Sequence, residues 1–197
     1  MKRTLDYPFT LAKVKELKVG DRVCLSGRVL TGRDRFHKFA FEDGKCPVDL
    51  KDGALYHCGP VVIGREGKWV VQAAGPTTSS RQDLYMPRII ERCHLRVIIG
   101  KGGMGPDTLR ACAKYGCVYL QAVGGAAGVL AQKIAKVNGV YFLEEFGAAD
   151  AVWDLEVKDF TAVVTMDTRG TSYHRRILNT SKRALRNLMG GPAGRKR

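Results

Sequence analysis

The sequence predicts an α/β domain built on a mixed sheet, and three stretches carry that prediction. Leu95 to Ile99 is a short apolar run rich in β-branched residues; a Gly-rich turn and a helix opening at Pro106 follow it, and Cys117 to Val123 is a second apolar run. That is a βαβ unit over residues 95–123, whose strands should be parallel with a right-handed crossover. Val23, Leu25, Gly27 and Val29 alternate along 22–30, as in a half-buried strand. Val152 to Thr165 is a third strand-like stretch, with a break near Lys158-Asp159.

The remaining elements follow in order. Thr31 to Lys38 is polar and charged and reads as a loop after the first strand. Residues 69–74 (WVVQAA) read as a strand stopped by Gly75-Pro76. Thr77 and Thr78 are candidate caps for a helix starting near Ser79. Pro106 suits a first helical position because its missing N–H is not needed there, and Gly116 can close that helix. Ala127, Leu130, Ala131 and Ile134 share one helical face, which predicts a helix ending at Gly139. Asp167 to Gly170 reads as a turn, and a basic helix runs from there to about Gly190. One domain is expected over 1–190, with a basic tail over 191–197.

The chain has 197 residues, 45% of them hydrophobic and 26% charged, enough for one full-sized core. No signal peptide or apolar run of membrane-spanning length is visible, so the expected location is cytoplasmic. The net charge of +14 raises the question of nucleic acid, but eight of the 33 Lys/Arg and none of the 19 Asp/Glu fall in 175–197. The rest of the chain is only mildly basic, as a site for small anions would be. Cys24, Cys46, Cys58, Cys93, Cys112 and Cys117 show no CxxC pair. Neither a disulfide framework nor a metal site of this chain's own is expected from them.

Three polar segments each follow an apolar strand: TGRDRFHK (Thr31 to Lys38), GPTTSSRQD (Gly75 to Asp83) and GKGGMG (Gly100 to Gly105). Ligands of open α/β sheets bind at the carboxyl ends of strands. Arg33, Arg81 and Lys101 would make a carboxylate pocket if the segments converge, with backbone N–H groups of the Gly-rich turn as further donors. Two other readings of GKGGMG compete. Gly100, Gly102 and Gly105 fit GxGxxG, but the supporting acid about 20 residues on is missing. IIGKGG is also like the GXXG loop of KH domains, the nucleic-acid alternative, although such a loop should join two helices. A Walker A loop is excluded, since Gly102 rather than Ser or Thr follows Lys101.

Taken together, TGRDRFHK, LYHCGPVV (Leu55 to Val62), GPTTSSRQD, IIGKGGMGPDT (Ile98 to Thr108) and FTAVVTMDTRG (Phe160 to Gly170) resemble, in order and spacing, the beta subunit or C-terminal domain of class I fumarate hydratases and L-tartrate dehydratases. The resemblance implies a swivelling β/β/α-type domain. It also implies a hydro-lyase, active only with a cluster-bearing alpha subunit as two alpha and two beta chains. A [4Fe–4S] cluster in that alpha subunit, with one open iron, would act as Lewis acid. The expected reaction is reversible hydration of fumarate to malate, with tartrate or mesaconate as the other substrates of the family. By the same resemblance Arg33, Arg81 and Lys101 bind the substrate carboxylates. Thr77 stands beside the reacting carbon as substrate contact and proton-transfer group, and His37, in RD-x-x-H, is the general acid/base. Arg35 and Phe36 depart from the small residues usual between Asp34 and His37, and Gln82 from a common Met.

Overall fold

The computed structural model describes residues 1–42 and 46–189; the basic tail expected over 191–197 lies outside the described residues. In chain order the elements are β1 (Lys2–Asp6), α1 (Leu11–Glu16), β2 (Arg22–Thr31), α2 (Asp34–Glu42), β3 (Ala54–Tyr56), β4 (Val61–Arg65) and β5 (Lys68–Ala73). A 3-10 turn (Ser79–Gln82), α3 (Met86–Cys93), β6 (Val97–Gly100), α4 (Pro106–Tyr115), β7 (Val118–Gln121), α5 (Ala127–Ala131), β8 (Ile134–Tyr141), α6 (Leu143–Phe146), β9 (Val152–Met166) and α7 (Tyr173–Leu188) complete the chain.

The sheet is mixed, as expected. β1, β2, β3, β6 and β7 pair in parallel, while β9 runs antiparallel to β2, β7 and β8. Because β9 pairs with both β2 and β7, the succession β2-β3-β6-β7-β9 closes on itself. Closure leaves these strands with an inner and an outer face, and the side chains alternate accordingly. Val97 and Ile99 join Tyr56, Leu120, Leu155 and Phe160 in an inner core. Ile98, Leu55 and Tyr119 point the other way, into a second core with Phe36 of α2, Ile90 of α3 and Leu109 of α4.

The βαβ unit stands: β6 and β7 pair in parallel on either side of α4, which opens at Pro106 and ends at Gly116 with φ 75°. The break foreseen in β9 is Asp159, at φ 51°. Three expectations change. The loop after β2 contains α2, because Phe36 and Ala40 on one face bury against the outer core. The helix predicted to reach Gly139 stops at Ala131, and Ile134 begins β8. Ile134, Val137 and Val140 fit a helical spacing, but the open edge of β9 offers them strand pairing, and that tertiary contact overrides the local pattern. Finally, Cys46 and Cys93 form a disulfide, with Cα atoms 5.4 Å apart at a sequence separation of 47, where none was expected. The end of α3 packs against the segment after α2, a proximity that spacing along the chain does not reveal. Among the described residues no helix is long and apolar enough to cross a membrane.

Candidate functional site

β2, β3 and β6 lie side by side and parallel, so their carboxyl ends open on one edge of the sheet. The loops leaving them and the segment that follows β5 are tied together through their backbones. Gly32 N–H donates to the Tyr56 carbonyl (2.9 Å), His57 N–H to that of Ile99 (2.8 Å) and Thr77 N–H to that of His57 (2.7 Å). Lys101 N–H donates to the Thr77 carbonyl (3.3 Å), and Ser79 N–H to the Lys101 carbonyl (3.0 Å). The three segments singled out in the sequence therefore do converge.

Their side chains sit as follows. Arg81 donates to Thr77 Oγ1 (2.8 Å) and pairs with the Asp34 carboxylate (3.1 Å); both ends of that pair are about half exposed. Thr77 Oγ1 thus receives a guanidinium proton rather than capping a helix, and its own hydroxyl proton is left to point elsewhere. Thr78 precedes the 3-10 turn without a capping hydrogen bond from its side chain. Arg33 lies across Gly59, where a Cβ would stand 2.6 Å from its Cδ. Its Nε is 3.8 Å from Asp150, and it donates weakly to the Ala149 carbonyl (3.4 Å). Lys101 is half-buried and makes no ion pair among the described residues.

The Gly-rich turn behaves differently from expectation. Its amides were candidate anion donors, but they face protein acceptors. Gly102 N–H donates to Gln121 Oε1 (3.1 Å), Gly105 N–H to Asp83 Oδ1 (2.8 Å), and Lys101 N–H, as above, to the Thr77 carbonyl. Asp83 also accepts from Thr108 Oγ1 (2.6 Å), pinning the turn to the first turn of α4. Gly102 and Gly103 take φ values of 83° and 76°, which favour glycine. With these amides turned inward, and joining a strand to a helix, the turn does not have the form of a KH clamp.

Beneath the cations lies a buried polar chain that sequence reasoning missed. His37 and His57 are fully buried, with their Nε2 atoms 3.2 Å apart. His37 Nδ1 is 2.6 Å from the Arg33 carbonyl, and a carbonyl only accepts, so Nδ1 carries the proton and Nε2 is an acceptor. His57 Nε2–H must then donate to His37. Its Nδ1 accepts from Ser79 Oγ (2.8 Å), and Ser79 accepts from the Tyr119 hydroxyl (2.9 Å). Both nitrogens of His37 are engaged inside the protein. In this arrangement His37, the expected acid/base group, spends one nitrogen on the Arg33 backbone and the other on His57.

Burial pushes the His37 imidazole down to about 4, against the opposing pull of the Arg33 carbonyl and the Asp34 charge. Burial, and then the neighbouring His37, push His57 well below its ordinary value. Burial raises the Tyr119 hydroxyl to about 12. The pair is thus neutral in the native state at pH 7. Between about pH 6.5, where an unfolded histidine titrates, and pH 4, the unfolded chain binds a proton at His37 that the native chain does not. Its stability is whole above that window and falls as pH drops through it, by ~3 kcal/mol from His37 alone. Urea unfolding at pH 7.5 and pH 4.5 should show this loss; equal stabilities would mean that the pair is not held neutral.

The residues that depart from the family resemblance are absorbed into packing. Phe36 is in the outer core, Arg35 reaches the Glu145 and Phe146 carbonyls, and buried Gln82 donates to Asp34 (2.7 Å). No three His, Cys, Asp or Glu side chains converge as a metal site among the described residues.

The family model described as Fumarase C-terminus matches residues 2–177. A Geobacillus stearothermophilus protein assigned as a class I fumarate hydratase is 50% identical over 92% of this chain, which spans 35% of that protein's length. A Methanocaldococcus jannaschii protein assigned as L(+)-tartrate dehydratase subunit beta is 39% identical over 94% of this chain and 100% of its own. The L(+)-tartrate dehydratase subunit beta of Escherichia coli K12 is 32% identical over 87% of this chain and 86% of its own. With a family model covering most of its length, and with the TGRDRFHK, GPTTSSRQD and GKGGMG segments meeting at one edge of the sheet, the chain belongs to the Fumarase C-terminus family.

Proposed function

We propose that this chain is the beta-type part of a [4Fe–4S] hydro-lyase that adds water across, or removes it from, the C=C bond of a dicarboxylate, fumarate to malate being the leading reaction. The observation that carries this reading is the convergence of the segments bearing Arg33 and Lys101, which leave β2 and β6 on either side of β3, with the segment after β5, whose Thr77 N–H donates to His57 just past β3 and whose Arg81 binds the Thr77 hydroxyl. Removing a proton next to a carboxylate builds negative charge on it, and fixed cations aimed at that charge lower the barrier. Arg81 can exchange its half-exposed Asp34 partner for a substrate carboxylate, and Lys101 adds a point charge. Thr77 is the proton-transfer group. The Arg81 guanidinium stabilises its oxygen as the proton leaves, and its hydroxyl hydrogen is free to face substrate. His37 acts behind them by fixing the Arg33 backbone.

The cluster is assigned to the alpha partner. Cys58, Cys112 and Cys117 are buried, Cys46 and Cys93 are joined, and the thiols do not form a cluster-binding set. When bound there, it supplies Lewis acidity at the substrate hydroxyl. The partner is expected to cover the face that carries the cations. A groove of about 860 Å³ opens between α7 and β9, lined by Val163, Ile177 and Leu178, and it adjoins Lys101 through Gly102. Ile177, Leu178, Leu185 and Leu188 recur at helical spacing on α7, all exposed. The helix carries Arg175, Arg176, Lys182, Arg183 and Arg186 and no acid, so a second copy of it would be repelled. A hetero-partner with an apolar ridge and acidic flanks fits, consistent with paired alpha and beta chains in the cytoplasm.

Tartrate is the second reading. Two relatives named as tartrate dehydratase beta subunits align along most or all of their length, and the same cations would hold either dicarboxylate. The test is anaerobic co-expression with the candidate alpha chain, followed by assay on fumarate, L-tartrate and mesaconate. Oxygen-sensitive turnover of fumarate is the expected result. Turnover of tartrate or mesaconate alone moves the substrate, and a cluster-loaded complex inert on all three removes the reading.

A further inference from the structure

Two of the groups in the buried chain, His57 and Ser79, have no part in the chemistry proposed above, yet they join every segment that does. Read by donor and acceptor, the chain runs in one direction. The Tyr119 hydroxyl donates to Ser79 Oγ, Ser79 to His57 Nδ1, His57 Nε2–H to His37 Nε2, and His37 Nδ1–H to the Arg33 carbonyl. It ends on the backbone of Arg33, and the Ser79 N–H, donating to the Lys101 carbonyl, ties it to the turn that carries Lys101. A closed ring is fused to it. His57 holds Thr77 by its carbonyl, Thr77 holds Lys101, Lys101 holds Ser79, and the Ser79 hydroxyl returns to His57. Ser79, His57 and His37 are fully buried, so no water competes for these bonds.

The fit leaves no slack. A Cβ on Gly100 would overlap Ser79 Oγ and stand 3.0 Å from the Tyr119 hydroxyl and 3.3 Å from His57 Nδ1. The strand end that launches Lys101 is therefore packed directly on the ring.

We infer that His57 and Ser79 are positioning residues, which set Arg33, Thr77 and Lys101 at fixed separations through the closed ring and its branch to His37. This inference rests on the cation site proposed above. Ser79→Ala removes the hydroxyl that closes the ring and leaves a smaller side chain in place. In the assembled complex we expect KM for the dicarboxylate to rise about 10-fold, the loss of one buried hydrogen bond, with a smaller change in kcat. In a Lys101→Ala background the same substitution should add less, because one of the three groups it positions is gone. An unchanged KM, or an equal added rise in the Lys101→Ala background, would overturn the inference. Hydrogen exchange followed by mass spectrometry tests it independently of any substrate. Ser79→Ala should speed exchange both at 100–105 and, at the far end of the chain, at 31–34. Faster exchange confined to 100–105 would overturn it even in an active enzyme. Coupled exchange in a complex inert on all three dicarboxylates would instead overturn the function reading and leave the positioning intact.

Discussion

Lys101→Ala in the assembled complex should lower kcat/KM by about 100- to 1,000-fold, the scale seen when one preorganised electrostatic contact to a developing charge is removed. Lys101 is the cation with most to lose. It has no ion pair among the described residues, so its charge is not spent on a protein carboxylate. Its backbone is held on both sides, by the Thr77 carbonyl and the Ser79 amide, so the side chain starts from a fixed point. The Gly102 and Gly105 amides are engaged inside the protein and cannot replace it. Steady-state kinetics on the co-purified complex, with cluster content matched to wild type, make the comparison. A loss below 10-fold would show that Lys101 does not face the substrate.

Leu178→Glu should abolish assembly with the alpha chain, a loss of at least 100-fold in affinity. Leu178 is half-exposed in the isolated chain and lines the groove beside α7. Covering such a side chain contributes about 2 kcal/mol, and a carboxylate there would be buried at a further cost. Because α7 contributes no buried residue, the substitution should leave the fold of the chain unchanged. Sedimentation of co-expressed chains reads the outcome. A complex of normal stability would place the partner on another surface.

The parts legible in the sequence were those whose cause is local. The turn at Gly100–Pro106 is written in residues that few other backbones would need, and Pro106 and Gly116 mark both ends of α4. Arg33, Arg81 and Lys101 were found because each follows an apolar strand; the parallel pairing of β2, β3 and β6 brings the loops of Arg33 and Lys101 to one edge, and the backbone bonds of Thr77 to His57 and Lys101 add that of Arg81. The rest depended on contacts far apart in the chain. His57 and Ser79 are partners across 22 residues, and neither stands out by composition. His37 was noticed for its chemistry, but its burial depends on β2, β3 and α2 closing over it together. Ile134 obeyed a helical period and was claimed by the edge of β9, and no local signal separates those outcomes.

The contact between Gly100 and Ser79 has a consequence for how such chains can diverge. Any side chain at position 100 would need the space that the Ser79 hydroxyl fills, and a larger residue at 79 would collide with the strand end at 100. Neither position can drift alone without opening the ring. Among relatives the two should therefore change as a pair or not at all, and a lineage in which position 79 has lost its hydroxyl is the one in which a residue other than glycine can first be tolerated at 100.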